Sequence, residues 1–492
     1  LSTVEATSQH ADQVIREFAG YFKDSRDKPA GEYKAYVIKG TNREKLKSLE
    51  LLLDRNRIEY GYGKSGSARG FNYSTGKTER FGISEEDLII SAFQPKSILA
   101  QVLFEPRTIV TDSNTYDITA WALPYAYGLQ AYATSQDIRP GSKESPAAEA
   151  AGAAVANAVA YIADWNSVSD VRFLGALLKD NIRVRYSEVP FESGGKKFNA
   201  GSLIIARTSN ERLGEKFSEV IAGHARRAGV RVQPITSGMV EKGADLGSSR
   251  VRFISRPKVA VVLGERTSSG SYGQIWHFFE QQIGYPVSTV RAGDIARISL
   301  SDFNVMIFPD GSYDEILSDK VLDWVRSGGK LIAMEYAVAQ VAGKKGYSIK
   351  PKEDEKEDGK KKKDIYADLR SYGSRTRDEL RSSIPGAIYK VNVDDTHPLG
   401  FGLSGTYYTL KLDDRIYDFM ENGWNVGTFR KDNYVAGFVG QEIKKKLVDG
   451  LVFGVQDLGN GTVVYLADDP LFRSFWENGK LLFSNAVFMV GH

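Results

Sequence analysis

Four short aliphatic runs in the second half of the chain constrain its fold more than any other feature. They lie at 259–263 (Val-Ala-Val-Val-Leu), 305–308 (Val-Met-Ile-Phe), 330–334 (Lys-Leu-Ile-Ala-Met) and 461–467 (Gly-Thr-Val-Val-Tyr-Leu-Ala). Each is too short for a buried helix and too evenly apolar for a strand with one wet face. Strands covered on both faces read this way, which requires helices on each side of the sheet. Amphipathic helices are expected at 272–283, 319–327 and 476–490. Gly328 and Gly329 end the middle one just ahead of the third run. The alternation predicts a doubly wound α/β domain over 251–492.

The first half is also α/β, in shorter units. A strand at 35–38, a helix at 42–55 and a strand at 58–60 are followed later by a strand at 160–162, a helix at 169–179 and a strand at 182–184. Sliding the first set by 125 residues superposes Ala35 on Ala160, Tyr36 on Tyr161, Leu49 on Leu174, Leu53 on Leu178 and Asn56 on Asn181 without a gap. Downstream, 88–90 and 203–205 match as strands. Two related small α/β modules are therefore expected, at 1–145 and 146–250, the second a duplicate of the first. The Ala/Gly/Pro/Ser-rich stretch 135–157 reads as a linker or an Ala-rich helix, and another boundary falls at 247–257. Ahead of the first module, 3–24 reads as an amphipathic helix carrying Val4, Ile15, Phe18 and Phe22, opened by a Ser2–Glu5 capping box. Inside the last domain, 348–366 holds the run KPKEDEKEDGKKKKD. With almost no apolar residue it is expected to be a mobile, solvated insertion.

Composition excludes several chemistries. No cysteine occurs in 492 residues, so disulfides, thiolate-bound zinc, iron–sulfur clusters and cysteine nucleophiles are all ruled out. A net charge of +3 implies no nucleic-acid partner. The longest uncharged apolar run, 150–163, falls short of the roughly 18–20 residues that span a membrane, so no membrane span is expected. Gly264, Gly270 and Gly273 do not make a GxGxxG, and neither a P-loop nor a GxSxG elbow occurs. The chain opens on Leu1 with no signal peptide and is expected to be part of a longer gene product.

Candidate site residues follow from position. In a doubly wound sheet, ligands meet the loops after the strand ends. Glu335 and Tyr336 stand at the strand-to-helix turn after 330–334, and Asp468 and Asp469 follow 461–467. Paired carboxyls can share a proton, although Asp-Pro is also a plain turn signal. A competing metal site would use the H-x-x-E pair His277 and Glu280 with the distant His397. The same segment reads as a helix with Trp276, Phe279 and Ile283 turned inward. Tyr60, Tyr62, Phe71 and Tyr73, in a Gly/Ser-rich stretch, are either peptide or glycan contacts or, the favoured reading, residues that pack on neighbouring loops.

Two sets of strings carry a family resemblance. The first is Phe93-Gln94-Pro95, Val102-Leu103-Phe104-Glu105-Pro106 and Tyr116-Asp117-Ile118-Thr119-Ala120-Trp121-Ala122-Leu123-Pro124-Tyr125-Ala126-Tyr127-Gly128-Leu129. The second is Asp468-Asp469-Pro470-Leu471-Phe472-Arg473-Ser474-Phe475-Trp476 with Leu481-Leu482-Phe483-Ser484-Asn485-Ala486. Both resemble the region downstream of the catalytic domain in large exported bacterial zinc carboxypeptidases of the carboxypeptidase A type. The resemblance implies an exported parent that hydrolyses peptide bonds with zinc in an upstream peptidase domain. This region would then be a non-catalytic accessory that docks on that domain, frames substrate access or binds peptide or glycan. The family's zinc ligands, an H-x-x-E pair and a distant His, sit in the catalytic domain. Residues 1–250 offer only His10 and His224, which leaves this region without them.

By pattern, 251–492 also resembles the class I glutamine amidotransferase-like fold, which uses a Cys at the strand-to-helix elbow and a later His. Here the elbow is Met334-Glu335-Tyr336-Ala337, and Ala467-Asp468-Asp469-Pro470 stands near the place of the His. The resemblance implies the fold without amidotransfer. Three readings stand at this point: an accessory region of a zinc carboxypeptidase, a metal-dependent hydrolase using His277, Glu280 and His397, and a small-molecule binder at the switch point near Glu335.

Overall fold

The computed structural model describes residues 1–108, 118–144, 152–352, 369 and 371–491. Tyr116, Asp117 and most of the charged 348–366 insertion lie outside the described residues. The chain divides into two compact units, Leu1–Ile109 with Ala120–Glu149, and Val110–Thr119 with Ala150–His492. The second unit takes in both the second expected module and the doubly wound domain.

The first unit opens with α1 (Ser2–Gln9) and α2 (Ala11–Asp27), parted at His10, where φ −111 and ψ 24 leave the helical region. The expected single helix is thus two. Its capping box does not form, because the helix already includes Ser2 and no side chain caps it. Then come β1 (Ala35–Ile38), α3 (Arg43–Arg55), β2 (Gly61–Tyr62), β3 (Gly66–Asn72), β4 (Thr78–Ile83), β5 (Leu88–Ser91), α4 (Ser97–Phe104), α5 (Leu123–Tyr127) and β6 (Ala131–Thr134). Asn42 starts α3 by accepting the Lys45 N–H at 3.0 Å. The sheet order is β2-β5-β1-β6-β3-β4, with β1 antiparallel to both β5 and β6. The strand expected at 58–60 pairs only from Gly61 onward.

The second unit begins its own small sheet with β7 (Ala160–Ala163), α6 (Val168–Lys179), β8 (Arg185–Ser187), β9 (Phe191–Ser193), β10 (Lys196–Phe198), β11 (Leu203–Ala206), α7 (Phe217–Ala228), β12 (Val232–Ile235) and β13 (Val251–Phe253). The order is β12-β7-β11-β8-β13. Residues 152–157, in the stretch read as linker or helix, are not helical.

The two small sheets share one plan. In each, the first strand lies between the third and fourth, antiparallel to both, and the second pairs beyond the third. This is the split β-α-β arrangement. Register agrees residue by residue: Tyr36 faces Ile90 as Tyr161 faces Ile205, and Ile38 faces Leu88 as Ala163 faces Leu203. A hairpin stands between the second and third strands in both. In the first sheet it joins through β6, and in the second β9 and β10 stay apart.

The remainder comprises β14 (Val259–Leu263), α8 (Ser269–His277), β15 (Val287–Arg291), β16 (Val305–Phe308), α9 (Asp319–Arg326), β17 (Lys330–Met334), α10 (Tyr336–Val341), α11 (Arg375–Arg381), β18 (Gly386–Val393), β19 (Thr406–Lys411), β20 (Trp424–Phe429), β21 (Tyr434–Phe438), α12 (Gln441–Lys446), β22 (Gly450–Leu458), β23 (Gly461–Leu466) and α13 (Glu477–Phe488). Strands β15-β14-β16-β17-β23 form a parallel half-sheet. Numbered by chain order within this half, the sequence is 2-1-3-4-5, a doubly wound order. Strands β22, β20, β18 and β19 continue the sheet in antiparallel fashion, with β21 on β18. Met306, Ile307, Ile332 and Val464 are fully buried in it.

Every residue of α13 is buried, which explains why the second small sheet and the doubly wound domain form one unit. Trp165 Nε1–H donates to Asn485 Oδ1 at 2.6 Å, and the Asn485 amide donates to the Leu399 and Phe401 carbonyls. Arg172 and Lys179, on α6, donate to the Gln282 and Gly284 carbonyls at 2.9 Å each.

Candidate functional site

The loops that leave β14, β16, β17 and β23 open on one edge of the parallel half-sheet. The strand order reverses between β14 and β16, which is where sheets of this kind meet their ligands. Asp310 follows β16, Glu335 follows β17, and Asp468 and Asp469 follow β23. The structure therefore places Glu335, Tyr336, Asp468 and Asp469 around one edge and adds Asp310, Lys411, Asp413 and Arg415.

Glu335 is the elbow between β17 and α10, at φ 50 and ψ −113. Its N–H donates to the Leu466 carbonyl at 2.8 Å, tying the elbow to β23. The next N–H, of Tyr336, donates to Asp310 Oδ1 at 3.2 Å. Among the described residues no donor reaches the Glu335 carboxylate. Asp310 is fixed from the other side: its N–H donates to Ser271 Oγ and its carbonyl accepts the Ser268 N–H.

Asp468 is held by Thr409 Oγ1–H at 2.8 Å and Lys411 Nζ at 2.7 Å. Lys411, 1% exposed, also reaches Asp413 at 3.0 Å, and Arg415 pairs with Asp413 at 2.8 Å. Asp469 accepts the Leu471 N–H at 2.8 Å and the Gln274 side-chain amide at 2.6 Å. Tyr336 is exposed at the rim, with the Arg415 guanidinium 5.2 Å from its ring centre.

Electrostatics follow from these partners. Burial first, and then the charges of Asp469, Asp310, Asp413 and Asp468, hold the Glu335 carboxyl well above the usual range. Burial, with Asp310 and Asp468 nearby, pushes Asp469 up to about 7 against its Leu471 hydrogen bond. Burial also raises Asp468, although Lys411 opposes it. Asp413 stays below its ordinary value despite burial, because Lys411 and Arg415 face it. The edge therefore contains one neutralised group, Lys411 and Arg415 with Asp413 and Asp468, beside carboxyls that retain protons into the neutral range. Such carboxyls can hold a cation or share a proton. The elbow residue itself, Glu335, offers neither a thiol nor a hydroxyl for nucleophilic attack.

The competing metal ligands lie elsewhere. His277 ends α8, with Nδ1 3.1 Å from the Gln282 amide and 3.3 Å from Ser474 Oγ. His397 Nδ1 accepts the Leu399 N–H at 3.1 Å, and its ring lies 5.9 Å from that of Trp424. Burial pushes His397 down to about 4 despite Asp394. Among the described residues no group of three such side chains, His277, Glu280 and His397 included, is placed to hold a metal ion. Trp276, expected inward, is exposed, while Phe278, Phe279 and Ile283 are buried. A π-helical turn at Phe278–Gln282 widens the helix there and changes which residues face in.

Tyr60, Tyr62, Phe71 and Tyr73 are all buried, in keeping with internal packing rather than ligand contact. Tyr73 packs on Phe71 and Tyr125 at 5.9 and 5.1 Å between ring centres, and the Tyr62 hydroxyl bonds Glu50. The Gly/Ser-rich stretch covers β2, which carries Tyr62, and the start of the β3–β4 hairpin, which carries Phe71. Sequence reasoning missed Asp310, which follows its strand just as Glu335 follows β17. It also missed Lys411 and Asp413, which lie in the antiparallel half and have no local signal.

No family model matches the chain, and no curated protein matches it. Among solved structures, it is similar to a protein described as a GMP synthase subunit from Thermoplasma acidophilum, at 8% identity and TM-score 0.30, over 47% of this chain and 94% of that one. It is similar to a glutamine amidotransferase from Thermotoga maritima at 10% identity and TM-score 0.28, over 44% of this chain and 76% of that one. It is also similar to a beta-galactosidase from Bacillus circulans at 13% identity and TM-score 0.26, spanning only 29% of that enzyme. At these scores the likenesses carry no functional argument, and the doubly wound assignment rests on strand order.

Proposed function

We propose that this chain is an accessory, itself non-catalytic region of an exported bacterial protein of the zinc carboxypeptidase type. In this reading it docks on the peptidase domain of the same gene product, which carries the zinc, and presents the carboxyl edge of its parallel half-sheet to a ligand. The observation that carries the non-catalytic part is Glu335. It occupies the elbow where this fold would present a nucleophile, and burial with the neighbouring carboxyls disfavours its ionised, reactive form. The family assignment is supported by the Tyr116–Leu129 and Asp468–Trp476 strings.

Docking is supported by α1 and α2. Val4, Val14, Ile15, Phe18 and Tyr21 are exposed along them, at the spacing of one helix face. No helix of the described residues is long and apolar enough to cross a membrane. In this proposal the stripe faces the peptidase domain.

Mixing the separately produced peptidase domain with this chain tests the proposal. Co-elution is expected, and Ile15→Glu with Phe18→Glu should abolish it. Independent elution overturns docking. Stoichiometric zinc in this chain, lost in His277→Ala, overturns the non-catalytic reading in favour of the hydrolase.

A further inference from the structure

We infer that the cavity at the amino-terminal edge of the parallel half-sheet binds a small monocarboxylate, held by Lys330. This edge is opposite the one that carries Glu335 and Asp469, so the inference is independent of the accessory reading.

The cavity measures about 100 Å³ and lies where β16, β17 and β23 begin. One water needs roughly 10–15 Å³, so the space admits a molecule of several heavy atoms. Asn304 and Val305, Lys330, Gly461 with Thr462, and Val487 of α13 contribute to its wall. Among the described residues no Asp or Glu lines it.

Lys330 supplies the charge. It is 6% exposed, and its Nζ donates to the Val487 carbonyl at 2.8 Å. Among the described residues no carboxylate pairs with it and no charged group acts on it. An ammonium has three N–H donors, so one carbonyl leaves two of them unanswered. Buried lysines are ordinarily paired, because an isolated ammonium is costly to take out of water. A lone one beside a cavity points to a counter-ion from outside the chain.

Thr462 is a second donor. It is the partner of Lys330 in the β17–β23 ladder, and its hydroxyl makes no hydrogen bond among the described residues. The two side chains converge at Gly491, which also lines the cavity. A Cβ there would fall 2.7 Å from Thr462 Oγ1 and 3.3 Å from Lys330 Cε.

Charge sets the class of ligand. One ammonium balances one negative charge. Phosphate carries closer to two at neutral pH and would stay partly unneutralised. An organic cation would be repelled by Lys330. The two oxygens of a carboxylate can accept from Lys330 and Thr462 together.

Burial pushes Lys330 down to about 7. Asn304 ahead of β16, Thr462 on β23 and Val487 on α13 bring no titratable group to it. Arg256, ahead of β14, turns to Asn181 Oδ1 at 3.0 Å. A bound carboxylate favours the protonated amine, so a proton is taken up on binding and affinity rises as pH falls.

Calorimetry and thermal melting on the full chain, with acetate and propionate as probes at pH 6 and 8, test this. Phosphate and methylammonium serve as comparisons. Saturable binding of acetate or propionate is expected, about tenfold tighter at pH 6 than at pH 8. It should be about tenfold weaker in Lys330→Met and about fivefold weaker in Thr462→Val. Either acid should raise the melting temperature of the wild type at pH 6 and leave that of Lys330→Met unchanged. Circular dichroism checks that both variants fold. No saturable binding of either acid overturns the site and leaves Lys330 as a cap on the last turn of α13. Equal binding in wild type and both folded variants overturns it, as does affinity that rises with pH. Phosphate bound in preference to both acids, and lost in Lys330→Met, overturns the monocarboxylate and leaves an anion site standing. Methylammonium bound in preference to both acids overturns the anion.

Discussion

Glu335 joins two unfavourable circumstances in one residue. Its φ of 50 is a conformation that side chains with a Cβ rarely adopt, and its carboxyl is partly withdrawn from water without a donor among the described residues. Backbone strain of this kind costs about 1–3 kcal/mol and persists where the surroundings impose it. Replacement by glycine removes both, offset in part by the flexibility glycine adds to the unfolded chain. Glu335→Gly is therefore expected to be more stable by about 1–2 kcal/mol in urea unfolding, and an unchanged or lower midpoint would contradict this. Asp469 makes a pH prediction. Its carboxyl lies at about 7 in the folded chain against an ordinary 3.8, so the native state keeps a proton that the unfolded state releases. That contribution is complete below about pH 4 and is lost as pH rises to about 7. Asp469→Asn should flatten the fall in stability between pH 4 and 7 by about 2–4 kcal/mol, and parallel profiles would refute the assignment.

Among elements, two look-alike sequences had different fates. Ser2-Thr3-Val4-Glu5 and Ser167-Val168-Ser169-Asp170 both carry an N-cap pattern. Only the second forms a capping box, with Ser167 and Asp170 buried and bonded reciprocally. The local string is the same kind; α6 is anchored by buried Val171, Leu174 and Leu178, whereas α1 buries nothing. Ser167→Ala should lower stability by about 1 kcal/mol and Ser2→Ala by less than about 0.5 kcal/mol, as thermal melting would report. The same distinction decides what was legible. Strands buried on both faces, such as β14, β16 and β17, stood out because their composition alone specifies them. The antiparallel strands β18 to β22 did not, since their glycine- and polar-rich strings take shape only against one another. Glu335 and the Asp468–Asp469 pair were legible because a doubly wound sheet assigns meaning to the residue after each strand. Lys411, brought to them by β19, was not. Trp276 was misassigned because a π-helical turn has no signature in helical periodicity.

At the scale of the whole molecule, the matching strand order and register of the two small sheets support a proposal that they arose by duplication. The apolar stripe on α1 and α2 carries a separate expectation. Ile15 and Phe18 are 63% and 67% exposed, so Ile15→Glu with Phe18→Glu should leave the isolated chain's melting temperature within about 1–2 °C; a large drop would show that the stripe packs internally. The seam between β17 and β23 has a kinetic consequence. Its register joins Lys330 to Thr462 and Met334 to Leu466, partners more than a hundred residues apart. The antiparallel strands between them can pair with near neighbours, but this joint must wait for a long loop to close. Glu335 and Asp469 stand just past its two sides, so these carboxyls are brought together only when the joint closes, and a change at either is expected to alter how fast the closed state opens more than how fast it forms.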